Sequence, residues 1–129
     1  MQPQKYWREI PQRYRYEAGR CAKCGKVFFP PRLVCDQCGC REFKTIRLPD
    51  TGTVHTFTVI RTAPLGFTAL APYVLAVVEL AKGVRVTMQI ADCGPDDVKI
   101  GDKVKVEFRK ISQVGHAGVI CYGYKAVLA

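Results

Sequence analysis

Two short cysteine pairs, Cys21-Ala22-Lys23-Cys24-Gly25 and Cys35-Asp36-Gln37-Cys38-Gly39, carry the plainest chemistry in the sequence. Two residues between thiols let the chain turn so that both sulfurs, and nearby backbone N–H groups, face one ion. The glycine after each second cysteine permits the positive φ that such a turn often needs. Four thiolates in two such pairs predict a closed tetrahedral Zn2+ site held by Cys21, Cys24, Cys35 and Cys38, structural because no position is left for water. The same donor set also admits iron. Only ten residues separate Cys24 from Cys35, so the module is read as a compact zinc ribbon.

Other uses of the cysteines fit less well. A disulfide framework needs an oxidising compartment. The first ten residues contain no apolar run of the kind a secretory signal needs, so a cytoplasmic setting is expected. Seven cysteines is also an odd number. Cys40 follows the second knuckle and could pass for a ligand, but Cys38-Gly39 is the pair that repeats Cys24-Gly25. Cys93 and Cys121 sit among apolar residues and read as buried thiols.

The elements that position these sulfurs divide the chain near residue 48. Residues 1–16 are expected to form a helical arm, with Trp7, Ile10 and Tyr14 on one face. Pro11 should break or restart it, giving two short helices. Residues 17–47 are expected to form the ribbon, with short strands near 26–29 and 43–46. So small a piece cannot hold a core unaided, so metal must supply much of its folding energy. From 51 onward the pattern is all β. Strands are predicted over 53–62, 73–81, 84–91, 103–111 and 119–127. Lys82-Gly83 makes a hairpin turn, and 112–118 a loop. Val104, Val106 and Phe108 are the expected inward face of the fourth strand. Five strands in this length predict an OB-fold barrel over 48–129, with an SH3-like barrel as the alternative. The fold class is therefore mainly β: short helices, a rubredoxin-like zinc ribbon, then a five-stranded barrel.

A formal charge of +9 suggests a nucleic-acid binder, but it is unevenly spread. Residues 1–47 hold 11 Lys/Arg against 4 Asp/Glu, whereas 48–129 hold 9 against 7. OB barrels bind ligands on the second and third strands and the loops beside them. Single-stranded nucleic acid would want stacking rings and a cationic track there. The loop 63–72 is uncharged and has one ring, the third strand has none, and 112–118 has no Lys or Arg. An uncharged loop better suits an apolar ligand arm or a protein partner, unless Leu65, Phe67 and Leu70 simply fold back over the barrel end. The arm mixes Arg8, Arg13 and Arg15 with Tyr6, Trp7, Tyr14 and Tyr16, which could stack bases, dock on a partner or form a solvated face. Phe28 and Phe29, in Phe-Phe-Pro-Pro-Arg, could equally pack the two modules together.

Catalytic constellations are thin. His55 and His116 have no nucleophile at a telling spacing, and Ser112 is the only serine. There is no glycine-rich phosphate loop and no stretch long enough to span a membrane.

A Tyr-Trp arm, C-x-x-C-G, Phe-Phe-Pro-Pro-Arg and a second C-x-x-C-G come in that order, followed by Thr51-Gly52-Thr53-Val54, Phe57-Thr58-Val59 and Pro72-Tyr73. The whole resembles the acyl-CoA-associated zinc-ribbon/OB-fold family, long catalogued as a domain of unknown function. In that family the proteins are often encoded beside thiolase-like enzymes. Archaeal members bridge a thiolase and hydroxymethylglutaryl-CoA synthase and help form a shared CoA site. The resemblance implies a non-catalytic accessory protein with CoA or acyl-CoA as a bound ligand. By residue type and position, Arg32, Arg61, Phe67 and Arg85 are the candidate ligand contacts, arginine being suited to phosphates. Tyr6, Trp7, Phe28 and Phe29 are the candidate partner contacts. The alternative is a nucleic-acid-binding ribbon–OB protein.

Overall fold

The computed structural model describes residues 3–81, 83–113 and 115–129. Two short helices open it, α1 (Pro3–Arg8) and α2 (Ile10–Arg15). The break falls at Glu9, and Pro11 sits in the first turn of α2, where its missing N–H costs nothing. Tyr16 ends α2 in the left-handed region. Tyr6 and Tyr16 are the buried rings of the arm, whereas Trp7, on its expected apolar face, is 71% exposed. Tyr6 donates its hydroxyl hydrogen to the Tyr122 carbonyl, which ties α1 to the barrel.

A three-stranded sheet of order β2-β1-β3 follows, with β1 (Glu17–Cys21), β2 (Val27–Phe28) and β3 (Phe43–Arg47), all antiparallel. The central strand β1 is absent from the sequence expectation. Glu-Ala-Gly-Arg-Cys has no alternation strong enough to announce it, yet Ala18 and Gly19 are buried.

The rest closes into a barrel: β4 (Thr51–Ile60), β5 (Tyr73–Ala81), β6 (Val84–Ala91), β7 (Lys103–Gln113) and β8 (Ile120–Leu128). Its order is β4-β5-β6-β8-β7, with β7 returning to β4. The first strand pairs with β7 through Thr51–Thr53 and with β5 through Thr53–Ile60, so one long strand serves both edges. Alternation holds best in β5 and β6. Val74, Ala76, Val78 and Leu80, then Val84, Val86, Met88 and Ile90, are all buried. Tyr16, Ala18 and Leu48 join that core, with Val27, Phe29 and Ile46 packed against it. The ribbon is thus seated on the barrel rather than tethered beside it.

Three expectations change. Phe108 is 48% exposed rather than inward, because β7 and β8 run past the barrel core; its ring stacks on Tyr122 at 5.2 Å and meets Tyr14 edge-on. Ser112 and Gln113 belong to β7, opposite Cys121 and Ile120, rather than to a loop. Leu65 and Leu70 do not cap the barrel, being 99% and 43% exposed. Met1 and Gln2 of the arm, Lys82 of the predicted turn and Val114 of the predicted loop lie outside the described residues.

Candidate functional site

The two knuckles are near copies of each other. Cys21 N–H donates to the Lys26 carbonyl and Gly25 N–H to the Cys21 carbonyl, at 2.9 and 3.1 Å. Cys35 and Gly39 repeat both bonds with Cys40 and Cys35, at the same distances. Gly25 and Gly39 have φ of +76° and +72°, as that turn requires. An L side chain resists this region by about 1–2 kcal/mol. Gly25→Ala should lower stability by about that amount, read by thermal melting of the metal-loaded protein.

The four sulfurs of Cys21, Cys24, Cys35 and Cys38 lie within 4.8 Å of one another. Cys21–Cys38 and Cys24–Cys35 are each 3.4 Å apart, too far for disulfides. A tetrahedral ion with bonds of about 2.3 Å separates its sulfurs by roughly 3.8 Å, which matches this cluster. Backbone N–H groups support the charge. Those of Cys24 and then Lys23 draw Cys21 down to about 6, and those of Cys38 and Gln37 lower Cys35 likewise. Cys24 and Cys38 also receive N–H groups, from Lys26 and Cys40, yet both are raised, by the facing cysteines and by burial. Four thiolates so close cannot all ionise without a cation among them. Cys40 is buried beside the cluster but outside it, its thiol bonded to the backbone of Glu42.

The second feature is a groove on the barrel. β6 and β8 run parallel and pair only at Ile90–Ala126 and Ala91–Val127. Before that they diverge, and α2 and the ribbon tip fill part of the gap. A cavity of about 250 Å3 lies along it, lined among others by Phe67, Tyr73, Leu75, Met88, Ile111 and Tyr124. A second, of about 470 Å3, continues it through Arg13, Thr87 and Tyr124 to Arg85, Phe29 and Pro30. The first cavity is walled by barrel strands and Phe67 with Arg13 at its edge; only in the second do the arm and the Phe29–Pro30 tip face β6. Burial raises the Tyr124 hydroxyl above its ordinary value, so it stays a neutral hydrogen-bonding group there.

The expected contacts fare unequally. Phe67 and Arg85 line this groove. Arg61, exposed beyond the end of β4, and Arg32, whose guanidinium lies 5.3 Å from the Phe28 ring centre, line neither cavity. Phe28 is buried against Phe43, and Phe29 packs on Tyr124, so both serve internal packing. Tyr6 is likewise internal, leaving Trp7 as the ring most open to solvent. Nothing in the sequence marks Arg13 and Tyr124 as groove residues, since their meeting depends on how α2 docks on β8.

A four-cysteine zinc-ribbon module joined to an OB-type barrel defines the architectural class. Residues 8–43 match the family model described as the ChsH2 rubredoxin-like zinc ribbon domain, and 45–109 that of the ChsH2 C-terminal OB-fold domain. The chain belongs to this family, known as DUF35. It is 46% identical over 120 residues, 92% of the chain and 90% of the relative, to a DUF35 domain-containing scaffold protein of Methanothermobacter thermautotrophicus. A protein of the same description from Methanocaldococcus jannaschii is 48% identical, over 92% of this chain and 85% of that one. Among solved structures, one described as the Ltp2-ChsH2(DUF35) aldolase superposes with a TM-score of 0.76 at 26% identity, covering 99% of this chain and 96% of that one. No described helix is long and apolar enough to cross a membrane.

Proposed function

We propose that this chain is a non-catalytic scaffold that docks on a thiolase-like enzyme and contributes one side of a site for its acyl-CoA. Hydroxymethylglutaryl-CoA synthase is the second partner such a scaffold would bridge. Cys21, Cys24, Cys35 and Cys38 hold a structural Zn2+ that orders the ribbon. The observation that carries this reading is the composite groove. Its first cavity is mostly apolar, suited to a pantetheine arm, and its second is closed on one side by the arm and by Phe29 and Pro30 of the ribbon. The scaffold description of the archaeal relatives, and the superposition on a DUF35 protein within an aldolase, support an accessory role. His55 and His116 are both exposed, with no hydrogen bond to a nucleophile among the described residues.

The test is purification from the source organism, with identification of bound proteins and titration with acyl-CoA. A thiolase-like enzyme should co-purify in stoichiometric amount. Acyl-CoA should bind saturably, and Phe67→Ala should weaken that binding about tenfold through lost apolar contact. Recovery of RNA with no thiolase-like enzyme would overturn the proposal in favour of a nucleic-acid role. Metal analysis should return one zinc per chain; iron would show by its colour.

A further inference from the structure

Lys125 is the single charged residue of β8. It is 7% exposed, in a strand whose other members are apolar, glycine or tyrosine. Among the described residues its ammonium makes no hydrogen bond and no ion pair within 4 Å. It lines an open cavity of about 360 Å3 with Arg109, Lys110, Asp92 and Cys93. The one carboxylate there is already engaged, since Asp92 accepts from both terminal nitrogens of Arg109, at 2.5 and 3.4 Å. Lys110 follows Arg109 on β7 and so points to the opposite face, where its ammonium donates to the Gln113 side-chain oxygen at 3.2 Å. Burial, and then the neighbouring Arg109 charge, depress the Lys125 pKa, partly offset by Asp92. The Lys125 stem is buried while its ammonium opens to this cavity, and with Arg109 and Asp92 engaged with each other it leaves one uncompensated positive charge there.

We propose that Lys125, with Arg109 on the same face beside it, forms a pocket for the phosphate or diphosphate group of a small ligand. Such an anion would accept hydrogen bonds from both side chains, and charge-assisted bonds of this kind are the strong ones. A concave pocket flanked by Leu70, Pro72 and Tyr73 suits a terminal group better than a running polymer backbone. The pocket shares Tyr73 and Gln89 with the apolar groove, so a ligand with a phosphate end and a long uncharged arm could occupy both. That pairing rests on the proposed function, whereas the phosphate pocket itself does not. It also moves the phosphate contacts away from Arg32 and Arg61.

Titration of the zinc-loaded full chain with inorganic pyrophosphate, and separately with adenosine 3′,5′-bisphosphate, tests this. Both should bind saturably. Lys125→Met should weaken both about tenfold or more and Arg109→Gln severalfold, while Lys103→Gln, exposed on β7 away from the pocket, should change neither. Lys125→Met should also melt no lower than the parent, because Met keeps the buried apolar stem and loses only the ammonium at the cavity mouth. Unchanged affinity in Lys125→Met, an equal loss in Lys103→Gln, or tighter and steeply salt-dependent binding of a single-stranded oligonucleotide would each overturn the proposal. If Lys125→Met fails to fold, full affinity in Arg109→Gln overturns it. The two proposals fail separately. Pyrophosphate bound at Lys125 without any acyl-CoA binding would leave the pocket and remove the acyl-CoA role. Acyl-CoA bound saturably by a protein whose pyrophosphate affinity is the same in Lys125→Met would do the reverse.

Discussion

Cys35→Ala is expected to abolish stoichiometric metal binding and to lower the melting temperature by on the order of 10 °C. Three remaining thiols cannot close a tetrahedral site, and metal binding in such small modules is folding free energy, about 10–16 kcal/mol apparent for zinc-finger peptides. The loss should not stay local. Tyr16, Ala18 and Leu48 are buried in the same core as the barrel strands, with Val27, Phe29 and Ile46 packed on it. Hydrogen exchange should therefore show lost protection in β1–β3 and weakened protection at the β6–β8 gap. Cys40→Ser is the control. It removes a buried thiol outside the cluster, so metal content should remain one per chain. Falling pH should release the ion from the parent protein too, because protons compete with metal for the thiolates. Retention of one tightly bound metal in Cys35→Ala would rule out this ligand set.

Gly52→Ala should cost on the order of 3 kcal/mol, measured by chemical denaturation. In an ordinary strand position the change would help slightly, because glycine is the worse strand former. Here the sign reverses through contact rather than conformation. A Cβ on Gly52 would sit 2.6 Å from the Glu79 carbonyl oxygen, with Val78 and Leu80 methyl carbons at 2.9 and 3.0 Å. A backbone carbonyl cannot move aside as a side chain can. Gly52 lies where β4 leaves β7 for β5, so relief would require opening the barrel at its closure. A variant as stable as the parent would show that the strand crossing has more slack than this geometry implies.

Much of the fold is legible in the residues. β5 and β6 follow strict alternation, and the two knuckles follow from the spacing of cysteine and glycine. β1 is not legible, because its burial comes from lying between β2 and β3 and against the barrel. Trp7 and Phe108 depart from expectation for related reasons. A helical period or an alternation identifies a face, but not whether anything covers it. The arm turns Tyr6 inward to meet the Tyr122 carbonyl, and β7 outruns the core that would have buried Phe108. The phosphate pocket does leave one trace in the sequence: Lys125 is a lone charge within an apolar strand, and such a charge must find a partner or a cavity.

The sequence by itself determined the metal ligands, the ribbon-then-barrel order and the inward faces of the central strands, because each depends on spacing between near neighbours. Only the tertiary structure decided what surrounds the groove. The parallel β6–β8 pairing ends after two residue pairs, α2 and the Phe29–Pro30 tip occupy the resulting gap, and Lys125 comes to face Arg109. Those meetings join residues up to about a hundred positions apart, and strand register and barrel closure alone bring them together.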